Sequence, residues 1–199
     1  DIQAAIDSLP DEGGCVCLKV GDHEIQAPIR IEKSHVSLHG ETLGARVVRT
    51  DGPELLRIAH PDGLLLEHVT VSGISFELER KGSQGQVMQA MVAMDRCRNT
   101  SVERCVLHAR ALSQIAGMII TRCNDVSVMN CLVDNVQYGL WTVADTTGLT
   151  VAGNSFDATN GKKSDGGLVG LLLQDVSFPA RIEENRVLGF VFGIVLNNG

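Results

Sequence analysis

The chain has 199 residues, enough for one domain or at most two. Lys and Arg total 17 against 24 Asp and Glu, a formal charge of −7, which argues against the broad basic surface of a general nucleic-acid binder. No apolar run approaches the roughly 18 residues of a membrane span, and no basic-then-apolar leader pattern opens the residues given.

The first element is helical. Asp1-Ile2-Gln3-Ala4-Ala5-Ile6-Asp7-Ser8-Leu9-Pro10 places apolar side chains at 2, 5, 6 and 9. That spacing predicts an amphipathic helix over 1–10, with Asp1 as N-cap and Pro10 as stop. Next, Cys15-Val16-Cys17 reads as alternate positions of a strand.

From there to the end the chain repeats. Ser101-Val102-Glu103-Arg104-Cys105 shifted by 26 residues becomes Ser127-Val128-Met129-Asn130-Cys131, and the same shift carries Arg96-Cys97 onto Arg122-Cys123. Related segments centre on Leu38, Val71, Val151 and Ile182. A second register reads Gly117-Met118-Ile119-Ile120, Gly139-Leu140-Trp141-Thr142, Gly170-Leu171-Leu172-Leu173 and Gly193-Ile194-Val195-Leu196. Each repeat therefore holds at least two short, turn-bounded strands. Such strands cannot close a sheet alone, but coil stacked on coil they can. The expectation is an all-β protein: a right-handed parallel β-helix of roughly seven coils, 11–199, capped by the N-terminal helix. No terminal cap is visible at Gly199, so 1–199 is expected to be one β-helix domain within a longer chain.

The opening segments carry a resemblance. IQAAIDSLP, then EGGCVCLKVGDHEI, then PIRIEKSHVSLHGE look like the start of pectin-lyase-like right-handed parallel β-helix proteins. The later repeats, with Asn154 and Asn185 at a turn after a Val or Ile strand, resemble their coils with an asparagine ladder. The resemblance implies the fold, and a protein that binds or processes polysaccharide as a lyase, epimerase or hydrolase. It leaves the activity open, because that fold hosts many functions. Ala116, Tyr138, Val169 and Phe192 precede the glycines of the second register, where family polygalacturonases would show their paired Asp and Arg motifs. The calcium-binding Asp set of pectate lyases is not recognisable either.

Equivalent positions in adjacent coils lie about 4.8 Å apart, so the offsets define ladders. Ile74, Cys105, Cys131, Asn154 and Asn185 form a structural one. Three residues on come Glu77, His108, Asp134, Asp157 and then Leu188. A carboxylate beside an imidazole fixes its tautomer and favours its charged form. Such a pair can take a proton from a sugar carbon or activate a water. In this reading His108 is the base or acid, Asp134 its orienter, and Arg110 the clamp for a substrate carboxylate. Two stacked carboxylates could also share a proton or hold calcium, although no cofactor is expected. The bland reading of the same ladder is a solvated face. Between Arg80 and Arg122 there are seven basic residues against Asp95 and Glu103, a net of +5, which suits an acidic glycan.

The Gly-led strands point elsewhere. If Leu140, Leu171 and Ile194 face inward, then Ile119, Trp141, Leu172 and Val195 face outward, and both faces are apolar. Such a stripe predicts cover by a loop, a neighbouring domain, a protein partner or a second copy of the chain. This supports the alternative function, a non-catalytic structural module of a larger assembly. The six cysteines lack CxxC or zinc-finger spacing and are expected to be free thiols, which favours a reducing compartment.

Overall fold

Asp1 caps the first element: its side chain accepts a hydrogen bond from the Gln3 N–H, and the helix runs Ile2–Asp7. The computed structural model describes residues 1–50, 52–79, 89–159 and 167–197, except the side chains of 111–114 and 178. Ile2 and Ile6 of the helix are buried, and Ala5 and Leu9 pack against the same core. The helix thus covers one end of a stack of strands. No helix among the described residues is long and apolar enough to cross a membrane.

The strands wind as a parallel β-helix with three faces. The first face orders Gly14–Leu18, Val36–Gly40, Thr70–Ser72, Cys97–Glu103, Asn124–Met129, Thr146–Ala152 and Val176–Glu183. All its pairings are parallel, and the repeat anchors meet directly: Leu38 opposite Val71, Val71 opposite Val102, then Val128, Val151 and Ile182. One further rung precedes them, with Val16 opposite Leu38. The second face carries Gly21–Ile25, Ala45–Arg49, Ser75–Leu78, residues 106–109 and 132–134, Ser155–Asp157 and Arg186–Leu188. The third carries Ile29–Ile31, Leu56–Ile58, Ala90–Asp95, residues 116–121 and 138–143, Gly167–Gln174 and Phe190–Asn197.

Five successive coils turn from the first face to the second at one left-handed residue. Gly73, Arg104, Asn130, Gly153 and Glu184 all have φ between +49° and +66°. The backbone N–H of each of the first four bonds to a carbonyl of the next coil, for example Arg104 N to Met129 O at 2.9 Å. The side chain that follows each turn points inward, which makes the ladder of Ile74, Cys105, Cys131, Asn154 and Asn185. Cys105 and Cys131 hydrogen-bond only weakly there, through sulfur to carbonyls. Asn154 accepts from the Cys131 N–H at 2.8 Å and donates to Val128 O and Asn185 Oδ1, both at 2.9 Å. Asn185 Nδ2 continues the ladder to Val151 O. Buried amides satisfied this way hold the corner closed. Asn154→Ala is expected to cost about 2–3 kcal/mol, because it strands the buried Cys131 N–H and takes a donor from Val128 O, while Asn185 Oδ1 keeps only its bond from the residue 154 N–H. Urea denaturation checks it, and an unchanged midpoint refutes it.

The second and third faces pack tightly on each other through glycine. A Cβ on Gly139 would lie 2.4 Å from Gly170 O and 2.5 Å from the Phe156 ring, and one on Gly117 would lie 2.3 Å from a Val133 methyl. The glycines of the second register therefore mark contact between sheets. The core itself is built of aligned apolar rungs. Phe76, Leu107, Val133 and Phe156 stack on one face and Ile31, Ile58, Met94 and Ile120 on another, all fully or almost fully buried.

Candidate functional site

Alternation on the second face decides which side chains meet solvent. Phe76, Leu107, Val133 and Phe156 point to the core, so Glu77, His108, Asp134 and Asp157 point out. The register is the one the offsets predicted: His108 lies opposite Glu77 on one side and Asp134 on the other, Asp134 opposite Asp157, and Asp157 opposite Leu188.

Of these four polar residues, one pair makes direct contact. His108 Nδ1 donates to Asp134 Oδ1 at 2.7 Å. The Asp134 side chain is only 14% exposed, whereas that of His108 is 38% exposed. Burial raises the Asp134 carboxyl above its ordinary range, and the neighbouring His108 partly opposes that rise. With Nδ1 held by the carboxylate, Nε2 is the ring nitrogen left for chemistry, on the more exposed partner of the pair.

The other two carboxylates are committed elsewhere. Arg46 grips Glu77 as a fork, Nε to Oε1 at 2.7 Å and Nη2 to Oε2 at 2.6 Å, and its Nη1 also reaches Asp22 at 2.9 Å. That guanidinium holds the Glu77 carboxyl below its usual range. Asp157 turns toward its own strand end. Its Oδ1 accepts from the Thr159 hydroxyl at 2.6 Å and the Thr159 N–H at 2.8 Å, which lowers its carboxyl too. Asp157 and Glu77 thus flank the dyad without joining it. The carboxylates that could have gathered round a hard cation are each turned to a neighbour. Among the described residues, no group of three or more His, Cys, Asp or Glu side chains is arranged to hold a metal.

Arg110 follows on the same strand and the same side as His108. Its Nη1 lies 3.9 Å from Glu79 Oε1, the partner the offset predicts, and the guanidinium is 73% exposed. The side chains of Arg80 and Lys81, part of the expected basic strip, lie outside the described residues.

Local sequence explains how Asp134 is aimed. Asn135 follows it at φ +57°, a conformation asparagine tolerates better than most residues. Its Nδ2 donates to Ala109 O at 2.9 Å, tying the two site strands together behind the dyad. The strands then lose register: Ser113 lies five residues beyond His108, yet it faces Val136, only two beyond Asp134. Arg46, Thr159 and Asn135 take part in the site without standing in the repeat ladder. A signal existed for Arg46, since Val47 continues the buried rung of Phe76 and so puts Arg46 on the outward side that Glu77 shares, two positions before the residue that faces Glu77.

The apolar stripe needs correction. Ile119, Trp141, Leu172 and Val195 are aligned as expected, one opposite the next. Ile119, however, is buried, with Ala90 and Ala116, under Tyr138, Trp141 and Val143. Trp141 and Tyr138 pack ring on ring at 4.8 Å. Trp141, Leu172 and Val195 are half-buried rather than open. Ile194, expected inward, is 52% exposed because its strand is the last described on that face.

Neither a family model nor a curated protein matches the chain. Solved structures do. ORF18 of Geobacillus virus E2 aligns over 99% of this chain at 18% identity, with a TM-score of 0.61. A provisionally assigned glycosyl hydrolase from Parabacteroides merdae aligns over 96% at 13% identity, with a TM-score of 0.64. A pectin methylesterase from Aspergillus niger aligns over the whole chain at 13% identity with a TM-score of 0.45. This chain spans 37% of the viral protein and 86% of the Parabacteroides one. At these identities the first two matches establish the fold.

Proposed function

We propose that this chain, which has the pectin-lyase-like parallel β-helix fold, binds a polysaccharide across its second face and acts on it through His108. The observation that carries the proposal is the 2.7 Å contact between His108 Nδ1 and a largely buried Asp134. The carboxylate sets the tautomer and stabilises the imidazolium that forms when Nε2 takes a proton. The substrate group that loses this proton is a sugar carbon, a hydroxyl or a water.

The arrangement favours base catalysis over the two-carboxylate scheme of most glycosidases. That scheme needs one free acid and one free carboxylate either side of the scissile bond. Here Glu77 is bound by Arg46 and Asp157 by Thr159, which leaves Asp134 alone, and Asp134 is spent on His108. Arg110, exposed and only loosely held by Glu79, is placed to receive a carboxylate of the glycan. The fold shared with a provisionally assigned glycosyl hydrolase supports a carbohydrate substrate.

A panel of uronate-rich and neutral polysaccharides tests the reading, scored by new reducing ends and by the absorbance of the unsaturated sugar that elimination leaves. Turnover is expected on a carboxylated glycan. Arg110→Ala is expected to raise KM for it about tenfold, the loss of one exposed charge-assisted contact, with kcat little changed. No turnover on any member sinks the proposal.

A second reading, a non-catalytic module docking through Trp141, Leu172 and Val195 beside the buried Ile119, draws on one observation. The viral chain of the same fold is nearly three times as long as this one. Binding without turnover, unchanged in His108→Ala, would favour it.

A further inference from the structure

Another pair of reactive side chains lies on the first face, away from the dyad. Cys15 and Cys17 alternate on the first strand around Val16, which is buried in the core, so both thiols point outward and both are exposed. The next strand sets Ser37 opposite Cys15 and His39 opposite Cys17. The His39 ring leans back across that register, and its Nδ1 lies 3.3 Å from Cys15 Sγ. Cys17 makes no such contact among the described residues. The strand that carries both thiols stands at the end of its sheet, so only one flank is taken by a neighbouring strand. The remaining four cysteines, Cys97, Cys105, Cys123 and Cys131, are buried between coils.

We infer that Cys15 and His39 form a thiol-modification site whose co-reactant is a low-molecular-weight disulfide. The step balances without any other group. His39 Nδ1 takes the thiol proton, and the Cys15 thiolate attacks one sulfur of the incoming disulfide. The old S–S bond breaks as a new one forms to Cys15. The second half leaves as a thiolate and picks up a proton. Cys15 is oxidised and the leaving half is reduced. Thiolate character and access together select the site. Cys15 has both an imidazole base and exposure, Cys17 has exposure alone, and the buried four lack access. The inference does not depend on the glycan chemistry proposed above.

Oxidised glutathione on the whole chain tests it, with adducts counted by intact mass and located by peptide mass. The first adduct is expected at Cys15, forming about tenfold faster than the second, because an imidazole stands within reach of that thiol to take its proton. His39→Gln is expected to slow it by about the same factor, and Cys17→Ser to leave it unchanged. In urea, where the His39 contact is gone, Cys15 and Cys17 are expected to react at like rates. A first adduct at Cys17, an unaltered rate in His39→Gln, or a Cys15 advantage that survives urea overturns the inference.

Discussion

Replacing His108 with alanine is expected to lower turnover of a carboxylated polysaccharide by 10²–10⁴-fold, the usual contribution of a positioned general base. The informative comparison is Asp134→Asn. It keeps the shape of the pair but removes the charge that orients Nδ1–H, so it should lose a similar order of activity. Its stability should move the other way. Burial raises the Asp134 carboxyl, so the fold favours its protonated form. For such a group the stabilisation is present below the unfolded pKa and is lost as pH rises through the folded pKa. Near neutral pH the ionised carboxylate is therefore a cost, and Asp134→Asn is expected to melt no lower than the parent. Activity should fall on the acid side at a pH above the range of a solvated aspartate. A pH–rate profile of the parent and melting curves of parent and Asp134→Asn check both halves. An Asp134→Asn protein that keeps full activity excludes the dyad as the base.

The second large effect is on folding. Gly139→Ala is expected to destabilise the chain by about 3 kcal/mol, the upper range for overpacking a tight interior. The added methyl would sit 2.4 Å from Gly170 O and 2.5 Å from the Phe156 ring. That oxygen belongs to the neighbouring rung and cannot withdraw without disturbing it. Gly193 occupies the same ladder one step beyond Gly170, and a Cβ there meets nothing within 4 Å. Gly193→Ala is the matched control and should leave the urea midpoint nearly unchanged. Equal midpoints for the two variants would refute close sheet contact as the reason for these glycines.

Much of this was legible in the residues. The anchors at Leu38, Val71, Val102, Val128, Val151 and Ile182 became one ladder because parallel in-register pairing turns a sequence offset directly into a neighbour. The same rule brought His108 beside Asp134 and placed Arg110 next to Glu79. Helical spacing marked the cap, and a Val or Ile two residues before the turn marked five successive corners.

Side-chain direction and reach were not legible. Glu77 and Asp157 stand in the predicted ladder, yet Arg46 crosses the register to take one and Thr159 takes the other through a local turn. An offset gives the facing residue and says nothing of a long side chain that leans past it. The burial of Ile119 escaped for a related reason. Strand alternation put it on the outer face, and only the packing of Tyr138, Trp141 and Val143 over it closed that face. The sequence alone determined the coil, its repeat and which residues share a rung, because those follow from backbone periodicity. The tertiary structure alone decided which neighbours bond, which carboxylate stays with the imidazole and which apolar side chain is covered, because those depend on rotamers and on contacts between faces that no repeat encodes.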